Sequence, residues 1–481
     1  VNFLAILLTT LLLPAAAESV RVEVHPRIEF ASILERAFGP DHPSYHKRTK
    51  TKYEKAALVW AKTYAEHPSV KIFKRQRDGG VTRVTLFDLI LRHSLGDSPP
   101  KVTHAPSEKL LRSNAGAAGI AEFITSLDTL YNESGFLTFF KKHHSYYSHI
   151  EKEVRDGLQR RKTAEDLFAY VGYELYGHYN IYLTTVLPPG PGSNNVLHSV
   201  DGSYQISTIL GPYWITDNKA RFDTPDFDER LWHEAGHGLL DPLTHLYWWE
   251  LEALAPMRKA LGDEVEEWHG WVKEHVVRAV RLRLLRRTHG IEDYTKNFKA
   301  DVEDRGFRYL PKMLAALEDY EKQRSRYPDI GLFFPKLLDS LAAQLKTPPQ
   351  QRQDFSLGTQ APGPAAWIAR TAPRFNDRGT DTLVRHPLER LIAHRPEPTL
   401  LLKRMQLNYM AGNLTAARQD AKRALHLAPE KRETRLMAAL LGVSTDGLAG
   451  LVKECGKPAA TPELCTFAKR WAEVYGPQAP R

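Results

Sequence analysis

Two cysteines in 481 residues exclude a disulfide scaffold and a thiolate zinc site. Long apolar runs are equally scarce. Beyond residues 2–13, none approaches the roughly 20 residues that a membrane span needs. No glycine-rich phosphate-binding loop occurs. An excess of one charge is missing from most of the chain. Lys and Arg outnumber Asp and Glu by 66 to 57, but +8 of the net +9 lies in residues 347–481, where 20 basic residues face 12 acidic ones. The first 346 residues are close to neutral, which argues against a broadly nucleic-acid-binding chain, and no nucleic-acid partner is expected. What is present is a balanced composition, with 42% hydrophobic and 26% charged residues. That balance fills packed cores and excludes a largely disordered chain. The length exceeds one ordinary domain and points to two or three.

Residues 2–13 (NFLAILLTTLLL) form an uncharged apolar run, followed by Pro14, Ala15, Ala16, Ala17 and Glu18. A short apolar core before small residues is the pattern of a secretory signal peptide, although the usual basic start is missing. Residues 1–17 are therefore expected to be a signal. The mature protein is expected to begin near Glu18, to be secreted or periplasmic, and to have no membrane span after cleavage. No cysteine follows the small residues, so a lipoprotein anchor is not indicated. Cys455 and Cys465 could pair in that setting, and the sequence leaves the pairing open.

Val20 to Phe30 alternates apolar and polar residues and predicts a strand. Tyr53 to Glu66 predicts a helix, and Ala118 to Tyr176 reads as mostly helical. Asn180–Leu187 and Ser203–Leu210 predict two strands around a Pro/Gly/Asn-rich turn. Phe227–Leu240 predicts a helix, followed by Thr244–Leu261, Glu264–Thr288 and Tyr309–Arg326. Strands before helices give the class α+β, mostly helical with a small sheet. Residues 347–397 read as a linker or irregular connector because of Pro348, Pro349 and the Gly/Pro stretch from Gly358. Residues 398–481 then resume as helix. There Gly412, Ala417, Ala424 and Pro429 match part of a tetratricopeptide pattern, so a C-terminal tetratricopeptide-like module is expected. A plain helical hairpin is the alternative. The expected division is thus 1–17 signal, 18–346 main domain, 347–397 connector and 398–481 helical module.

His233-Glu234-Ala235-Gly236-His237 is an HExxH motif. Its setting is helical. Thr224-Pro225 offers an N-cap and a first-turn proline. Asp226, Asp228 and Glu229 place negative charge at the dipole's positive end. Phe227, Leu231 and Ala235 mark an apolar face, and Pro242 predicts a stop at Asp241. On a helix, i and i+4 lie about 6 Å apart on one face, so His233 and His237 can converge on one Zn2+. Glu234 sits beside the metal and can act as general base toward water. Gly236 keeps the helix surface low.

A catalytic zinc needs a third protein ligand. The metzincin pattern would place a histidine where Leu243 stands, so that arrangement fails. A carboxylate from a later helix remains, with Glu250, Glu252, Glu266, Glu267 and Glu274 as candidates. Glu274 lies mid-helix among apolar residues, where a buried acid needs a partner. Zinc would be one, and Arg278, four residues on, would be another. His143, His144 and His149 lack i,i+4 pairing and suit surface or packing roles. His275 and Tyr309 are weaker candidates for stabilising an oxyanion. Asp241 could orient His237 or simply end the helix. Ser203–Leu210, just before the motif, could be an edge strand that pairs with an extended substrate.

The segments VEVHPRIEF, HEAGHGLLDP, KEHVVRAV and YEKQRSRYPDIGLFFP together resemble a largely uncharacterised bacterial family of exported HExxH proteins, known as a domain of unknown function. The resemblance runs from about Val20 to Leu345. By motif that family is grouped with the zincin metallopeptidases. The resemblance implies a thermolysin-like gluzincin core in which His233 and His237 bind zinc and Glu234 is the base. It favours Glu274 as third ligand, because the family carries Glu in an E-x-x-x-R-A context. Thermolysin has Asp four residues after its ligand Glu. Arg278 stands there in this chain, so the surroundings of the ligand must differ. The expected activity is that of an exported zinc metallopeptidase acting on a peptide or protein substrate, with a possible protein partner at the C-terminal module. Two alternatives stand beside it: a non-catalytic binding protein working through its C-terminal helices, and zinc hydrolysis of a non-peptide amide such as a cell-wall linkage.

Overall fold

The computed structural model describes residues 20–40, 51–96, 101–102, 116–173, 177–187, 192–198, 204–216, 219–247, 250–251, 254, 268–344, 378–411 and 413–431, with 434–435, 438, 441 and 443. The expected signal segment, most of the connector, Glu252, Glu266, Glu267 and both cysteines lie outside them. The described chain is mostly helical with a small sheet, as the α+β reading expects. It separates into two compact units, residues 1–239 with 280–298, and residues 240–279 with 299–481. Among the described residues, no helix is long and apolar enough to cross a membrane.

The first unit opens with strand β1 (Val20–Glu23) and helix α1 (Pro26–Phe38). The expected strand to Phe30 is therefore cut short. Pro26 takes the first helical turn, where its missing N–H costs nothing, and the alternation after it becomes a helical face. Helices α2 (Lys52–Lys62), α3 (Pro68–Asp78) and α4 (Arg83–Arg92) follow. Thr51 and Thr82 cap two of them, accepting from the N–H of Glu54 and Thr85. A two-residue ladder pairs β2 (His93–Ser94) with β3 (Lys101–Val102). Helices α5 (Gly116–Glu133), α6 (Phe136–Lys142), α7 (His144–Arg161) and α8 (Thr163–Val171) fill the expected helical stretch. Phe30 packs edge-on against Tyr131 and Phe136, at 5.1 and 5.2 Å between ring centres.

Four strands make the main sheet: β1, β4 (Gly177–Leu183), β6 (Tyr204–Leu210) and β5 (Gly192–His198), in that order. β1, β4 and β6 run parallel, and β5 is antiparallel to β6. The segment expected to be a turn thus contains a strand. Its Gly and Asn residues hid the pairing, which β6 supplies. One consequence corrects the expected edge strand. Residues 204–210 are paired on both sides, and 192–198 takes the edge. A short hairpin, β7 (Trp214–Thr216) with β8 (Lys219–Arg221), precedes helix α9 (Pro225–Leu246).

Helix α9 does not stop at Asp241 but continues through Pro242 to Leu246. An interior proline costs roughly 3 kcal/mol. Leu240, Leu243 and Leu246 are all buried, and each such side chain contributes about 1.5–3 kcal/mol, enough to carry the helix past the break.

In the second unit, α10 (Trp268–Thr288) supplies its N-terminal half, buried through Val272, Val276 and Val277. Helix α11 (Ile291–Lys299) returns to the first unit and runs into a π-turn at Ala300–Asp304. Helices α12 (Leu310–Lys322) and α13 (Ile330–Gln344) follow, then α14 (Arg378–His394), α15 (Pro398–Met410) and α16 (Leu414–Leu427). α14 occupies part of the expected connector. The helical spacing of Val384, Leu388, Leu391 and Ile392, all buried, outweighs the local proline content. Arg390 pairs with buried Asp329, and Asp329 also accepts from the Gly331 N–H at 2.7 Å. The Lys403 ammonium donates to the Leu246 carbonyl at 2.7 Å and pairs with Glu250 at 3.0 Å, so α15 caps the C-terminal end of α9. Ala417, Ala421 and Ala424, all buried, let α16 lie close in its hairpin with α15.

Two predictions follow from packing in the first unit. A Cβ on Gly238 would meet Ile206 Cγ2 at 2.6 Å and Cδ1 at 2.8 Å. Gly238→Ala is therefore expected to lower stability by about 1–3 kcal/mol, despite the roughly 1 kcal/mol that Ala gains in helix propensity. Adding Ile206→Ala is expected to lessen the clash component in denaturant melts. The second concerns Glu29, fully buried beside Thr184, Thr185 and Tyr53. Burial pushes its carboxyl up from 4.5 to about 7. The folded chain thus prefers the protonated acid, and this contribution is present below pH 4.5 and lost as pH rises toward 7. Relative to wild type, Glu29→Gln is expected to gain up to about 3 kcal/mol above pH 7 and nothing below pH 4, read as the pH dependence of the difference in unfolding free energy.

Candidate metal centre

The HExxH helix is set on the first unit by contacts along its N-terminal half. Pro225 opens it, as expected, but the Thr224 hydroxyl has no hydrogen-bond partner among the described residues and is not the cap. Buried Asp228 takes that end instead, accepting from Arg161 at 2.6 Å and from the Thr163 hydroxyl at 2.7 Å. His289 lies 3.7 Å away, its pKa raised by its hydrogen bond to Asp228. The Trp232 indole donates to the Thr163 carbonyl at 2.8 Å, and Glu229 accepts from Arg281. Just past the middle of the helix, Gly238 lies directly on Ile206 of β6. These contacts fix both the rotation and the height of the helix.

On that helix the His233 and His237 rings lie 4.9 Å apart and nearly perpendicular. Glu274 comes from α10. One ligand atom from each of His233, His237 and Glu274 lies within 4.8 Å of the other two, and all three residues are partly buried. Four-coordinate zinc with bonds of about 2.0–2.1 Å sets its ligand atoms about 3.3 Å apart. That spacing falls within the observed bound, and two imidazoles with one carboxylate are a donor set that zinc accepts. The residues therefore fit the ion. Glu234 stands next to His233 in the chain, and its charge reaches the buried Tyr179 ring on β4. Tyr179 is raised well above its ordinary value, chiefly by burial, and its hydroxyl donates to Thr208 at 3.0 Å.

Glu274 also has the partner that the sequence offered as the alternative. Arg278 pairs with it at 3.1 Å. Arg278 in turn reaches Asp301 at 2.9 Å, and its guanidinium lies 4.2 Å from the Phe307 ring centre. The pairing of Glu274 with Arg278 was legible as an i,i+4 spacing. Asp301, in the π-turn 23 residues further on, carried no sequence signal.

The remaining candidates have the following surroundings. His275 is fully buried against Trp271, Phe307 and Tyr309. Its Nδ1 donates to the Trp271 carbonyl at 2.9 Å, and burial lowers its pKa to about 4. The ring is then neutral with a bare Nε2, which cannot donate to an oxyanion. Tyr309 packs edge-on against Trp271 in the same aromatic group. Asp241 faces Lys273 at 3.6 Å, and Lys273 donates to His245 at 3.0 Å. Glu250 pairs with Lys403. His143 donates from Nδ1 to the Phe139 carbonyl at 2.9 Å and packs against Tyr53, whereas His149 is exposed near Glu153.

A family model described as a domain of unknown function (DUF4932) matches residues 97–340. The match holds HEAGHGLLDP, KEHVVRAV and YEKQRSRYPDIGLFFP and begins after VEVHPRIEF. No curated protein and no solved structure matches the chain. The matched residues make up half of the sequence and include His233, Glu234, His237 and Glu274, and the chain therefore belongs to the DUF4932 family.

Proposed function

We propose that the chain is an exported zinc-dependent metallopeptidase of the gluzincin type, built on a thermolysin-like core with a tetratricopeptide-like C-terminal hairpin. The observation that carries this reading is the convergence of His233, His237 and Glu274 within 4.8 Å, with Glu234 on the same helix as the two histidines. His233, His237 and Glu274 would hold zinc. When bound, zinc would supply Lewis acidity to a peptide carbonyl and to water. The Glu234 carboxylate takes a proton from the attacking water and passes it to the departing amine, so one group serves as base and then as acid. The apolar run at residues 2–13 supports export, and peptides or unfolded proteins are the substrates of this reading. The basic C-terminal part would meet a protein partner.

Two measurements test it. Elemental analysis of dialysed protein is expected to give about one zinc per chain, and His237→Ala to give well below that. A wild-type chain that stays metal-free after incubation with zinc would remove the site. Glu234→Ala is expected to keep its zinc while losing at least about 100-fold in turnover of a generic unfolded protein. An active variant would refute the role of Glu234. Cleavage of cell-wall amides with no cleavage of proteins would move the reading to that substrate class.

A further inference from the structure

We infer that Arg278 is a positioning residue for the ligand carboxylate of Glu274, and that Asp301 in the π-turn is what holds Arg278 in place. The inference rests on the metal site proposed above and goes beyond it. The residues form a line of alternating charge: Glu274, Arg278 at 3.1 Å, Asp301 at 2.9 Å from Arg278, and Arg305 at 2.6 Å from Asp301. Asp301 is fully buried, and Arg278 is largely so. A guanidinium has a rigid fork of donors, so it can grip two carboxylates at once and fix their relative geometry.

The backbone is shaped around this contact. The π-turn Ala300–Asp304 closes with the Arg305 N–H on the Ala300 carbonyl at 3.1 Å, a wider turn than an α-helix makes. The Phe307 N–H then returns to the Asp301 carbonyl at 3.0 Å, and Gly306 takes φ +77° to allow it. The reversal lays the Phe307 ring against the Arg278 guanidinium at 4.2 Å. Arg278 is therefore held by a carboxylate and a ring, with one guanidinium nitrogen 3.1 Å from the Glu274 carboxylate.

Position and charge make opposite predictions here. Arg278 is a cation close to a site that would bind a dication, so by charge alone Arg278→Met should tighten metal binding. If Arg278 positions the ligand, the same variant should weaken it, because Glu274 loses its orientation. Groups that orient metal ligands typically contribute 10–100-fold in affinity.

The experiment is a competitive chelator titration of full-length apo-protein with zinc, together with the visible absorption spectrum of the cobalt-loaded protein. Arg278→Met and Asp301→Asn are each expected to weaken zinc binding about 10-fold or more and to alter the cobalt spectrum. The double variant is expected to lose little more than either single one, and Arg278→Lys to recover part of the loss. Wild-type affinity, or tighter binding, in a folded Arg278→Met would overturn the inference while leaving the metal site intact. Should Arg278→Met not fold, Asp301→Asn decides in the same way. A wild-type protein that binds neither metal would instead remove the site and the inference with it.

Discussion

The close seating of α9 on the sheet is the constraint on which the candidate site depends. Gly238 leaves no room for even a methyl group against Ile206. The histidines five and one residues earlier are therefore held at a fixed height above β6. Asp228, gripping Arg161 and Thr163, sets the rotation of the same helix from its N-terminal end. An i,i+4 pair of imidazoles has value only if the helix that bears it does not roll. Here a charged clamp before the histidines and a steric contact after them prevent that.

Charged groups inside this chain are handled in two ways. Asp301, Asp228 and Asp329 are buried beside arginines, whose guanidiniums take the place of the lost water. Glu29 has hydroxyl neighbours and no described cation, and burial moves its proton affinity up instead. The first arrangement recurs at helix junctions and next to the candidate ligand. The second lies deep in the first unit, where the Tyr147 hydroxyl donates to the Tyr53 hydroxyl at 2.7 Å.

Much of the site could be read from the chain because it is local. His233, Glu234 and His237 declare themselves by spacing, whereas Glu274 was one of five acidic candidates and was favoured by the family resemblance. The α+β class followed from clustering of strand-like segments. What could not be read was non-local. Strand 192–198 is built of residues with weak strand preference and exists through its pairing with 204–210. That missing strand also led the edge to be placed on the wrong segment. Pro242 was read by its local preference, which burial of the leucines around it overrides. Asp301 and Gly238 matter through partners distant in sequence, and nothing in their neighbours announces it.

The division of the chain into two compact units is not a division of the sequence. Residues 240–279, which belong to the second unit, lie between the two stretches that make up the first. The first unit is therefore incomplete until residue 298 has been made, well past its own strands and most of its helices. A chain emerging from its N-terminus must hold the sheet and the HExxH helix without the C-terminal half of α10 and without α11 for that interval. Completion of the first unit is thus tied to residues 280–298 rather than to its own strands. The interleaving also means that no single cut yields either unit as an intact fragment.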